Sequence, residues 1–325
     1  MRRLLAALLL GAAPAAAQPA PPPVAAPLVI AHRGASGYRP EHTLEAYELA
    51  ARQGADYLEA DLVSTRDGVL VCRHDADLGP TTDVAQRFPG RRATRVIEGD
   101  TLTGWFVDDF TLAELRTLRA RERFEGRSHR YDALYGIPTF EELLQLVARL
   151  REGRLKPLGV YPELKHPAYF RARGVPMEER LVALLDRYGY TGDRDAAFIQ
   201  SFDLASLSRV RELTRLRLVL LLGAGDTIPD LGRVAAIADG LGVDKRLILP
   251  EGRARVLLDP TTLVRDAHAR GLLVHAWTFR REPAFLAPAW AGDARAELRR
   301  FRALGVDGVF TDFPDVALEA FGSTR

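Results

Sequence analysis

Short apolar runs that break off into polar groups recur along the whole chain, and they constrain the fold more than any other feature. Residues 28–31, 57–62, 159–165, 197–202, 216–222, 238–243 (with 247–249 as an extension), 272–278 and 308–312 each have the length and the β-branched or aromatic content of a buried strand. Helical patterns separate most of them. Thr43 opens one that runs to Arg52 and stops at Gly54, and others cover 178–188 and 260–270. Eight strands alternating with helices predict an α/β chain folded as a (β/α)8 barrel. A doubly wound open sheet is the competing fold, but no Gly-x-Gly-x-x-Gly follows the first run, so a dinucleotide fold is unsupported.

The polar ends are where such a barrel places its ligands. The first run ends in His32-Arg33-Gly34, which supplies a base that titrates near neutrality and a cationic fork suited to an oxyanion. In the second run Glu59 and Asp61 are two residues apart and share a face, and a divalent cation is the natural relief of their repulsion. Arg66-Asp67-Gly68 is a turn, and the apolar residues 69–72 behind it end in His74-Asp75. That gap is too short for a parallel crossover, so the segment is predicted to fold back as a hairpin and return His74 to the same edge. Glu163 and Lys165 again share a face. They read either as a neutralised surface pair or as a third carboxylate for the cation with an ammonium for a phosphate. His42, His129, His166 and His275 read by default as structural or surface histidines.

Residues 76–136 break the rhythm with prolines, glycines and basic residues and show one clear helix, opened by Thr111 with Glu114 in a capping-box pattern. Inserted between the first strands, this segment is expected to form a lid over the barrel mouth. Thr139 and Glu142 open the following helix in the same way. Met1-Arg2-Arg3, the apolar residues 4–10 and Ala15-Ala16-Ala17 have the layout of a signal peptide over residues 1–17, followed by a Pro/Ala-rich linker at 18–27 and the barrel domain at 28–325. A periplasmic or secreted location is expected, without a stable membrane anchor. Formal net charge is +2 with no clustered basic face, so nucleic acid is not an expected partner. Cys72 stands alone, which excludes an intrachain disulfide. A homodimer through the insertion is left open.

His32-Arg33-Gly34, Pro40-Glu41-His42-Thr43, Glu59-Ala60-Asp61, His74-Asp75, Pro162-Glu163-Leu164-Lys165, Gln200-Ser201-Phe202 and Thr311-Asp312-Phe313-Pro314-Asp315, in that order, resemble the glycerophosphodiester phosphodiesterase family, most closely its periplasmic bacterial branch. The resemblance covers nearly the whole chain from Leu28 to Asp315. It implies a TIM barrel with an inserted lid and a divalent cation, calcium by the habit of that branch, although oxygen ligands suit magnesium as well. By the same resemblance Glu59, Asp61 and Glu163 hold the metal, His32 and His74 form the acid/base pair, Arg33 and Lys165 bind the phosphate, and Gln200 and Trp277 line the pocket. The implied reaction is hydrolysis of glycerophosphodiesters to glycerol 3-phosphate and an alcohol. A phosphodiesterase for lysophospholipids or other lipid head groups, and a non-catalytic binding protein that kept the barrel, are the alternative readings.

Overall fold

Strand β1 (Leu28–Ala31) pairs in parallel with both β2 (Tyr57–Ser64) and a strand from the far end of the chain, Gly308–Thr311, and this double pairing closes the sheet. The computed structural model describes residues 26–152 and 156–322. The expected signal peptide, and residues 18–25 of the expected linker, lie outside the described residues. The remaining strands are β3 (Leu70–Cys72), β4 (Ala93–Ile97), β5 (Asp100–Gly104), β6 (Gly159–Leu164), β7 (Phe198–Ser201), β8 (Arg217–Leu222), β9 (Gly240–Asp244) and β10 (Leu273–Phe279), with Gly308–Thr311 as β11. Around the barrel the order is β1, β2, β6, β7, β8, β9, β10, β11, giving eight parallel strands, so the predicted (β/α)8 barrel is the observed fold.

The period of two along each strand explains both the core and the site. Ile30, Tyr57, Tyr161, Phe198, Val219 and Phe310 point inward and pack as one cluster, with Tyr161 and Phe198 stacked at 4.8 Å between ring centroids. Two residues further along the same six strands come His32, Glu59, Glu163, Gln200, Leu221 and Asp312. An apolar plug therefore carries a polar layer directly above it, at the C-terminal mouth. Intervening residues such as Val29, Leu58, Ala60, Val160 and Leu164 face outward into the layer shared with the helices. In the helix Phe140–Arg151 the buried Phe140, Leu143, Leu144 and Val147 form the apolar stripe that meets the barrel.

Helix ends follow the capping chemistry of the sequence. Thr43 accepts from Ala46 N at the start of Leu44–Gln53, and Gly54 closes that helix with φ 102°. Complete capping boxes stand at Thr111/Glu114 and Thr139/Glu142. β3 pairs antiparallel with β2, as the turn at residues 66–68 predicts.

Three local expectations differ from the structure. Residues 247–249 do not extend a strand, because Asp244 caps its own strand end through Arg246 N (2.8 Å) and turns the chain into a single 3₁₀ turn, Lys245–Leu247. The helix expected from residue 260 starts at Leu263, because the Thr261 hydroxyl is bonded instead to Leu247 O at 2.7 Å. The insertion holds a hairpin, β4 with β5, that was not anticipated. Its turn residues Glu98 and Gly99 both have positive φ, as a two-residue hairpin turn requires, but Glu-Gly is a weaker signal than Asn-Gly.

Gly159 shows how tightly the plug is filled. A Cβ there would lie 2.2 Å from the Tyr57 ring and 2.8 Å from Ala196 O. Gly159→Ala is expected to destabilise the fold by about 1–3 kcal/mol in urea unfolding, whereas Gly126→Ala, with nothing within 4 Å of its Cβ, is expected to be nearly neutral. Equal midpoints for the two variants would contradict this packing.

Candidate active site

The polar layer opens into a cavity of about 660 Å³. All nine residues singled out from the sequence line it: His32, Arg33, Glu59, Asp61, His74, Glu163, Lys165, Gln200 and Trp277. Strand register brings the carboxylates together, since Asp61 is the direct partner of Glu163 and Glu163 of Gln200. One oxygen from each of Glu59, Asp61 and Glu163 lies within 4.8 Å of the others, and all three residues are buried.

Arg33 is the hub of this cluster. Its backbone occupies the left-handed region (φ 60°), which aims its own N–H at Glu59 Oε2, 2.6 Å away. Its Nε lies 3.1 Å from Asp61 Oδ2, and its Nη1 lies 3.2 Å from Glu41 Oε1. Burial opposes the charge on this guanidinium, but Glu41, Asp61 and Glu59 outweigh it and push the pKa up. Lys165 Nζ stands 3.0 Å from Glu163 Oε1 and 3.4 Å from His74 Nε2. The alternative of a surface pair for Glu163 and Lys165 therefore falls, because both are buried. Gln200 donates to Glu59 Oε1 at 3.4 Å, and Trp277 packs edge-on against Phe202 at 6.0 Å.

Each cavity imidazole is held by a carboxylate. His32 Nδ1 is 2.6 Å from Asp312 Oδ1, and His74 Nδ1 is 2.6 Å from Asp75 Oδ1. Burial works against ionisation of both aspartates. Arg280 and His32 overcome it at Asp312, and His74 with Arg123 at Asp75, so both carboxyls titrate below their usual range. An ionised carboxylate can only accept, so each Nδ1 carries the proton and each Nε2 presents a lone pair. Burial, reinforced by Arg33, lowers the His32 pKa, while burial, Arg33 and Lys165 lower that of His74 to about 4. Both rings are thus neutral at pH 7.

The carboxylate cluster behaves as a group short of positive charge. Burial, with Asp61 nearby, pushes Glu59 well above the carboxylate range, and burial pushes Glu163 up to about 8 despite Lys165. Asp61 stays ionised because Arg33 and the His42 hydrogen bond outweigh its burial. Glu163 Oε1 takes no hydrogen bond, although the Lys165 ammonium meets it as an ion pair. Three clustered oxygen donors, one of them unbonded, fit a hard divalent cation.

One histidine set aside as structural belongs to this site. His42 Nε2 is 2.9 Å from Asp61 Oδ2, and its Nδ1 is 2.7 Å from the Tyr47 hydroxyl, so it orients a carboxylate of the cluster. The other three fit the default. His275 is bonded to the Tyr161 hydroxyl within the plug, His166 pairs with Glu98, and His129 pairs with Asp132 at the surface. The roles of Asp312, Asp75 and Glu41 had no signal of their own beyond membership in the quoted motifs. For Asp312, the inward alternation of Phe310 on β11 and Asp312 just past its end could have supplied one.

The model of the glycerophosphoryl diester phosphodiesterase family matches residues 32–316. A glycerophosphodiester phosphodiesterase of Arabidopsis thaliana is 36% identical over 88% of this chain and 84% of its own length. One from Haemophilus influenzae is 32% identical over 90% and 89%. Among solved structures, an Oleispira antarctica phosphodiesterase in complex with the product sn-glycerol-3-phosphate has the same fold (TM-score 0.63, 23% identity, 92% of this chain and 98% of that one).

Glu41 gives the site a measurable acid sensitivity. Burial raises its pKa, but Arg33 and Arg123 outweigh burial and bring it to about 2, below the ordinary 4.5. A depressed folded value contributes stability that is complete above the ordinary pKa and is lost as pH falls from there towards the folded one, here on the order of 3 kcal/mol. Urea unfolding at about pH 6 and about pH 3 is expected to show a larger acid loss in the wild type than in Glu41→Gln, and an equal loss would contradict this charge arrangement.

Proposed function

The chain belongs to the glycerophosphoryl diester phosphodiesterase family, and from that premise we propose how its site acts. The enzyme hydrolyses glycerophosphodiesters to glycerol 3-phosphate and an alcohol. The observation that carries the residue assignment is the opposition of two carboxylate-held imidazoles and an acidic cluster in one cavity.

In this reading Glu59, Asp61 and Glu163 would hold a divalent cation. Calcium is the proposed ion, supported by an all-carboxylate donor set, with magnesium as the competitor. When bound, the cation supplies Lewis-acid stabilisation of charge on a phosphoryl oxygen. The chain's own residues do the rest. Lys165 and Arg33 add fixed positive charge beside the phosphate, although Arg33 is already shared among Glu41, Asp61 and the cluster. Trp277 and Gln200 bound the space for the diester. A neutral Nε2 on one of His32 and His74 takes the proton of the attacking hydroxyl, and the other imidazole, once protonated, delivers a proton to the departing alkoxide. The carboxylates Asp312 and Asp75 stabilise each ring as it becomes charged.

We also propose that the protein is of the periplasmic bacterial type and is exported. The support is the basic start, apolar stretch and small-residue site within residues 1–17.

Assay of the purified chain on glycerophosphocholine tests these roles. His32→Ala and His74→Ala are each expected to lower kcat by about 10²–10⁴-fold. Exhaustive chelation is expected to abolish turnover, with calcium restoring it better than magnesium. Undiminished turnover after chelation would remove the metal from the scheme, and undiminished turnover in both histidine variants would remove the acid/base pair.

A further inference from the structure

Two arginines of the inserted segment reach the carboxylates behind the two cavity imidazoles. Arg127 Nη2 donates to Asp312 Oδ2 at 2.6 Å, sharing that oxygen with Arg280 Nε at 2.7 Å, and Asp312 holds His32. Arg123 Nη2 donates to Asp75 Oδ2 at 2.7 Å, and Asp75 holds His74. In both cases the arginine takes the oxygen that the imidazole does not use. The two arginines are four residues apart, Arg127 closing a turn by its N–H to Phe124 O at 3.0 Å and Arg123 just preceding it. Phe124 anchors this turn edge-on against Phe285, beyond β10, at 5.6 Å.

We infer that Arg123 and Arg127 are positioning residues, through which the insertion helps set the orientation and charge environment of both imidazoles, although none of its residues lines the cavity itself. This rests on the assignment of His32 and His74 as the acid/base pair.

The remaining bonds of each arginine point the same way. Arg127 Nε lies 2.6 Å from Glu282 Oε1, and its Nη1 donates to Ser36 O at 3.1 Å. Ser36 in turn donates its hydroxyl to His32 O at 2.8 Å, so Arg127 grips His32 through its ring partner and through its main chain. Arg123 also lies 3.0 Å from Glu41 Oε1, the carboxylate that holds Arg33. Arg127 is nearly buried and Arg123 is four-fifths buried, so water screens neither pair fully. With one oxygen held by a guanidinium and the other by the imidazole, each carboxylate is restrained at both ends, and the orientation of its ring follows. If the insertion only covered the mouth, its arginines could pair anywhere on the rim, whereas these two pair with the aspartates of the two rings.

The test uses Arg123→Gln, Arg127→Gln, the corresponding Lys variants, and His32→Ala and His74→Ala as references. Each Gln variant is expected to lower kcat by roughly 10-fold or more with little change in KM, and each Lys variant to recover part of that loss. In protein labelled with ¹⁵N at histidine, Arg127→Gln is expected to shift the ring signals of His32, and Arg123→Gln those of His74. Unchanged kcat in the Gln variants, a rise in KM alone, no recovery with Lys, or unmoved histidine signals would overturn the inference. If a Gln variant fails to fold, the Lys variant carries the same spectroscopic comparison. Full activity in His32→Ala and His74→Ala would instead defeat the acid/base assignment, and the histidine spectra would still show whether the arginines set the two rings.

Discussion

Glu59, Asp61 and Glu163 bring three acidic groups to within 4.8 Å in a region nearly closed to water, and the rest of the site is arranged around that repulsion. Arg33 meets it from the turn after β1 with a backbone N–H and a guanidinium, Lys165 meets it from just past β6, and His42 pins Asp61 from further along the same loop. These groups keep Asp61 ionised but leave Glu59 and Glu163 pushed upward, so the chain by itself does not balance the cluster. A buried charge without compensation is expensive, and a divalent cation is the compensation that oxygen donors at this spacing accept.

The barrel makes this concentration of charge tolerable. The inward aromatic plug of Tyr57, Tyr161, Phe198 and Phe310 is packed apolar matter, and the polar layer sits one pleat above it. Stability and chemistry are therefore assigned to successive inward positions of the same strands. The ends of the strands can carry groups that repel one another because the residues below hold the strands in place.

Much of this was legible in the sequence because the strand period is short and the polar ends are abrupt. Glu59 and Asp61 announced a common face by their spacing, and residues 66–68 announced the hairpin that returns His74. What was hidden depended on contacts between distant segments. His42 looked like a lone histidine, since nothing in sequence ties it to Asp61, nineteen residues on. Asp312 lies 280 residues from His32, and only barrel closure between β1 and β11 makes them neighbours. The β4–β5 hairpin was hidden for a local reason, because its threonine-rich strands are largely exposed and lack apolar alternation.

The most direct measurement is calorimetric titration of the chelator-treated protein with calcium, compared with Asp61→Asn and Glu163→Gln. This account predicts one ion bound per wild-type chain and loss of that binding in each variant. Unaltered binding in both variants, or no saturable binding in the wild type, would contradict it.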